Sequence, residues 1–111
     1  MSTKLPVDVN NNPIPALRLK DSGAHNISVT GTSARNATAF DSDTRIVSLY
    51  ASVDMYVNFG DSTVTADSAD HFFPANTYYD FAIGGDGTGH FTHIAALRTS
   101  SDGTLYISEK E

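Results

Sequence analysis

The chain has 111 residues, 40% of them hydrophobic, which suits one domain with a modest core and is too apolar for a chain disordered throughout. It contains no Cys, so disulfides and thiolate metal centres are excluded, and a formal net charge of −6 with only 7 Lys+Arg argues against nucleic acid as a partner. No apolar run approaches the length of a membrane span and the N-terminus lacks a charged-then-apolar leader, so neither a membrane nor secretion is expected.

Residues 1–22 differ from the rest. They hold three consecutive Asn and, at Pro6, Pro13 and Pro15, three of the chain's four prolines. Each proline fixes its own φ, removes a donor and pushes its predecessor toward extended geometry. An extended N-terminal arm is predicted, with Ile14, Leu17 and Leu19 as its apolar contacts. Two placements remain open for it: an edge strand on its own domain, or an arm lying on a neighbouring subunit.

Residues 23–111 read as a β-sandwich domain. Ile27 and Val29 alternate with Asn26 and Ser28 over 24–30, as in a half-buried strand. Residues 31–38 are small and polar and read as a loop. From Thr44 to Ser52, Val47, Leu49 and Ala51 face inward and Ile46 and Tyr50 outward. Both faces being apolar suggests a strand covered on two sides or one that meets a partner. Residues 53–83 carry much of the aromatic content. Val53, Met55, Val57 and Phe59 alternate strictly against Asp54, Tyr56 and Asn58, and Gly60-Asp61 breaks the run. Ser62 to Asp70 reads as a polar loop with a short edge strand at 63–65. Phe72-Phe73-Pro74 ends a second extended piece, and Tyr79, Phe81 and Ile83 alternate with Tyr78, Asp80 and Ala82 in a third. Gly84 to Gly89 reads as a connector, His90 to Arg98 as a strand, and Ser100 to Gly103 as a hairpin turn. In the closing strand Leu105 and Ile107 point inward and Tyr106 outward. Seven or eight short strands with turns roughly every ten residues make an all-β sandwich or barrel. Val57, Phe59, Phe81 and Leu105 are expected in its core.

Candidate chemistry is sparse. His90 and His93 share a face only in a helix; on a strand their odd spacing sends them to opposite faces, which does not make a zinc pair. His25 and His71 read as surface or capping groups. Gly84 to Gly89 lacks the Lys-Ser/Thr and following helix of a phosphate loop. The acids cluster in turns, where Asp serves local hydrogen bonds, rather than as a facing catalytic pair. A cupin-type metal site would need a Glu in the barrel mouth, and Glu109 and Glu111 are both terminal. No catalytic residue, cofactor or metal is expected. What remains is aromatic: Tyr50, Tyr56, Tyr78 and Tyr106 all fall on faces opposite the core set. Tyr is enriched at the centres of protein interfaces. With Ile14, Leu17, Leu19 and Ile46 they form the expected partner surface.

The order of several short segments supports a resemblance: Arg45-Ile46-Val47, then Val57-Asn58-Phe59-Gly60, Thr65-Ala66 and Phe72-Phe73-Pro74-Ala75, then His93-Ile94-Ala95-Ala96-Leu97 and Ser101-Asp102-Gly103-Thr104-Leu105-Tyr106-Ile107. Over about residues 40–108 the chain resembles the capsid decoration, or staple, proteins of tailed phages, most of all those of the epsilon fifteen type of short-tailed Salmonella phage. The resemblance implies a jelly-roll-like antiparallel sandwich made in the bacterial host cytoplasm. It implies a non-enzymatic protein that binds the outer surface of the virion's capsid as a homodimer, with the major capsid protein as partner, and locks capsomers together. The alternative is a carbohydrate- or receptor-binding sandwich of a tail or fibre, in which outward Tyr56 beside Asp54 and Asn58 would stack on a sugar.

Overall fold

The computed structural model describes residues 7–12, 17–84 and 89–110. Eight strands run in the order β1 (Leu19–Val29), β2 (Ala34–Arg35), β3 (Ile46–Ala51), β4 (Met55–Gly60), β5 (His71–Phe73), β6 (Tyr78–Ala82), β7 (His93–Arg98) and β8 (Gly103–Lys110). They form two antiparallel four-stranded sheets. Sheet one has the order β1-β8-β3-β6 and sheet two the order β2-β7-β4-β5. The chain crosses to the opposite sheet at every connection except that between β4 and β5. The protein is an all-β sandwich, as the alternating pattern predicts.

The core is the space between the two inner faces. Ile27, Val29, Val47, Leu49, Leu105 and Ile107 project into it from sheet one, and Met55, Val57, Phe73, Ile94 and Ala96 from sheet two. Phe40 and Ile83 close it from the connections. The inward phases of β3, β4 and β8 are those the sequence predicts. Phe59 and Phe81 are packed against this cluster but are only half-buried. They stand where the sheets part, so they are not the fully buried core residues expected of them.

Several local expectations change. Ser100 to Gly103 is not a hairpin turn, because β7 and β8 lie in different sheets; the segment carries the chain across the sandwich. A Cβ at Gly103 would stand 2.5 Å from Val53 Cγ2, so the crossing from β3 to β4 is packed directly on it. The loop predicted at 31–38 contains β2, which pairs with Ala95 and Ala96 of β7. The strand predicted from His90 begins at His93. β1 begins at Leu19, opposite Lys110, so the last four residues of the predicted arm are the start of this strand. Residues 8–12 are not extended. Asp8 Oδ1 accepts from the Asn10 and Asn12 N–H groups at 2.8 and 2.9 Å, and Asn11 has a left-handed φ of 62°. The Asx-type bonds that favour Asn and Asp in turns outweigh the extended bias of the nearby prolines. Val9 stands 95% exposed on this turn. Ile14 and most of the Gly84–Gly89 connector lie outside the described residues.

Candidate interaction surfaces

Sheet one places its outward side chains in rows across the strands. One row is Tyr78 (β6), Tyr50 (β3), Tyr106 (β8) and Asn26 (β1). The next is Asp80, Ser48, Ser108 and Ala24, and the third is Ala82, Ile46, Lys110 and Leu19. The tyrosine rings contact one another: Tyr50 lies 4.8 Å from Tyr78 and 6.4 Å from Tyr106, centroid to centroid. Tyr50 is half-buried between its neighbours and donates its hydroxyl proton to Asn76 Oδ1 at 3.0 Å. Tyr78 is 74% and Tyr106 47% exposed. Cross-strand aromatic neighbours of this kind stabilise one another while presenting edges and hydroxyls outward.

The charges of this face are Asp80 in the second row and Lys110 in the third. Asp80 accepts from the Ser48 hydroxyl and from Lys110 Nζ at 3.0 Å. The Ser48 hydrogen bond first, then Lys110, holds the Asp80 carboxyl below its ordinary value of 3.8. Among the described residues no loop is interposed over these rows, so sheet one presents an outer face with an aromatic end, a small polar middle in which Ser48 is buried, and an aliphatic end at Ile46 and Leu19 that also carries Lys110. Leu17 is half-buried just before β1.

Sheet two is different. Loop 61–70 folds back over its outer face and buries Val64 and Ala66 against Ala95, with Leu97 beside them. Arg35 Nη1 donates to Val64 O at 2.9 Å, Ala66 N to Ser33 Oγ at 2.8 Å, and Asn58 Nδ2 to Thr65 O at 3.2 Å. The short edge strand expected at 63–65 is absent; the segment is a lid on β7 instead. A Cβ at Gly60 would come within 2.9 Å of Val64, so glycine permits the close return. Tyr56 lies on this side, against Phe72 at 6.1 Å and opposite Leu97. The eight predicted partner residues therefore do not form one patch. Leu19, Ile46, Tyr50, Tyr78 and Tyr106 share the outer face of sheet one, Tyr56 is on the far side, Leu17 precedes β1, and Ile14 is not described.

The remaining polar groups are structural. Glu109, although near the end of the sequence, is buried at the last inward position of β8. It accepts from Thr44 Oγ1 at 2.5 Å and from the Asp41 N–H at 2.9 Å, and pairs with His25 Nε2 at 2.7 Å. His25 is thus not a surface group; its ring also meets Phe40 edge-on at 5.1 Å. The inward alternation Leu105, Ile107, Glu109 was the available signal. Asn36, read only as loop, is buried and pins β7 by accepting the Ile94 N–H at 2.8 Å. His90 and His93 engage Thr44 O and Thr92 Oγ1 respectively. Among the described residues no three His, Cys, Asp or Glu groups gather as a metal site, and no helix is long and apolar enough to cross a membrane.

A third feature was not legible in the sequence. Where β5 and β6 part, an open cleft of about 600 Å³ is lined by Phe59, Phe73, Tyr79, Phe81 and Phe91 together with Phe72, His71 and Ala82. Its rings touch in series, Phe91 to Phe59 at 5.8 Å, Phe59 to Phe81 at 5.7 Å and Phe81 to Phe73 at 5.3 Å. No family model, curated protein or solved structure matches this chain.

Proposed function

We propose that this chain is a non-enzymatic structural protein of a phage head, one that attaches to the outer surface of the capsid through the outer face of sheet one and bridges capsomers. Its partners on this reading are the major capsid protein and a second copy of itself, and its place is the virion. The observation that supports it is the register of Tyr78, Tyr50 and Tyr106 in one row on a sheet face that, among the described residues, no loop covers. Tyrosine provides large contact area at low entropic loss and keeps a hydroxyl for the partner's polar groups. The crossing of the chain between sheets at almost every connection supports the jelly-roll form of the sandwich. An acidic surface keeps the unattached protein soluble and suits basic patches on a shell. Each copy need add only a few kcal/mol, because binding stabilises the assembled state by mass action over many sites.

The carbohydrate reading has weaker support. Asp54 and Asn58, the polar neighbours of Tyr56, are engaged with the chain itself: Asp54 Oδ1 accepts from Ala75 N at 2.7 Å and Asn58 donates to Thr65 O. Undecorated capsids of an epsilon fifteen type phage, mixed with the protein and heated, are the test. Co-sedimentation and a raised disruption temperature are expected; binding to a glycan array without binding to shells would favour the alternative.

A further inference from the structure

A sandwich of two open sheets has four edge strands, each presenting backbone N–H and C=O groups to any strand that reaches it. Three of the edges here are blunted. β2 is 2 residues long, and β5 is 3 residues long and runs into Pro74. β1 is interrupted between Leu19 and Ala24, where Ser22 holds a left-handed φ of 60°. β6 has none of these devices. Its 5 residues contain no Gly, Pro or bulge, and among the described residues it pairs on one side only, with β3.

Hydrogen-bond parity identifies the groups at the open side. Ile83 N donates to Arg45 O at 2.8 Å, in register with the β3–β6 ladder. In an antiparallel pair, bonded and non-bonded positions alternate. Phe81 and Tyr79 therefore direct their backbone groups to β3, and Tyr78, Asp80 and Ala82 direct theirs to the open edge. The aromatic cleft lies directly beside this edge, with Phe72 54% and Phe91 41% exposed at its rim.

We propose that β6 is a self-docking strand: two copies pair β6 to β6, antiparallel about a two-fold axis, and merge their first sheets into one. A second copy is the occupant that matches the edge most fully. It brings an identical regular strand, as an isologous contact requires, and its Tyr79 and Phe81 rings meet the half-buried rings of the cleft. Charge permits the approach, because Asp80 is held within its own sheet by Lys110 and Ser48. An axis through Phe81 sets Asp80 opposite the partner's Ala82, so like charges do not face each other. The chain's own residues 8–12 are folded into their turn and offer no strand. The dimer stands on the edge geometry alone; combined with the proposed function, it lays two tyrosine rows on one continuous outer face.

The test uses the full-length protein. Sedimentation of the wild type is expected to give a dimer, and Ala82→Pro, which removes an edge-directed N–H without touching a bond to β3, a monomer with the wild-type fold. Ala82→Ser restores the N–H and the dimer. Hydrogen exchange on the wild type supplies a second readout that needs no variant. The Asp80 and Ala82 amides are expected to gain protection as protein concentration rises, while Tyr79 and Phe81 stay protected throughout. A monomer at all concentrations, or a dimer in which the Asp80 and Ala82 amides exchange freely, overturns the proposal. A dimer that fails to bind shells retains it and removes the capsid reading instead.

Discussion

The two outer faces of this sandwich have similar sequence patterns and opposite fates. On sheet two, Ala95 and Leu97 of β7 point away from the core, yet Ala95 is fully buried because loop 61–70 returns over it with Val64 and Ala66. On sheet one the corresponding positions on β3 and β8 meet no loop among the described residues; they hold Tyr50, Tyr106, Ser48 and Ser108, with Ile46 and Lys110 at the far end. The lesson is that an outward apolar residue on a strand has two explanations, a cover from the same chain or a partner. Only the long connection after β4 decides between them. Among the described residues, sheet two is closed by its own loop and sheet one keeps an open face.

The strongest way to sharpen this contrast is a charge on each face. Ala95→Asp places an unpartnered carboxylate under the loop and is expected to cost on the order of 3–5 kcal/mol in denaturant unfolding. Tyr106→Asp on the bare face is expected to cost about 1 kcal/mol or less. Equal costs would mean the faces are equally covered. Val64→Ala thins the cover without a charge; about 1–2 kcal/mol is expected, with faster hydrogen exchange in β7 but not in β8.

Acid supplies a smaller probe of the open face. The folded-state pKa of Asp80 is depressed, so its contribution is present above the unfolded value near 3.8 and is lost as pH falls through the folded value. Because the group is largely exposed, the effect is small. Asp80→Asn is expected to flatten the stability profile slightly in that window only; an altered profile near neutral pH would contradict the assignment. Smallest of all, Val9→Ser is expected to leave the melting temperature within a degree or so of wild type, since Val9 stands almost fully exposed on its turn.

Much of the fold was legible because a period of two is hard to mistake. Val47, Leu49 and Ala51, or Leu105 and Ile107, state their own inward phase. What the sequence hid were relations between segments. The Asp-Gly turn at Asp102-Gly103 carries the same residues whether it makes a hairpin or a crossing, and only the partner strands distinguish them. Glu109 continues the inward phase of β8, but its burial depends on Thr44, Asp41 and His25, which are remote in sequence. The tyrosines announced themselves one by one as outward; that Tyr50, Tyr78 and Tyr106 share a row while Tyr56 lies across the core follows from strand order. The aromatic cleft arises from where the two sheets diverge, which no local pattern encodes.

The central claim is that the bare face of sheet one, not the covered face of sheet two, meets the capsid. Its most direct test is co-sedimentation with undecorated shells of two matched variants, Tyr78→Ser/Tyr106→Ser on sheet one and Tyr56→Ser/Phe72→Ser on sheet two, each first confirmed folded by thermal melting. The sheet-one variant is expected to lose attachment and the sheet-two variant to keep it. Wild-type attachment by the sheet-one variant, or loss confined to the sheet-two variant, would contradict the account.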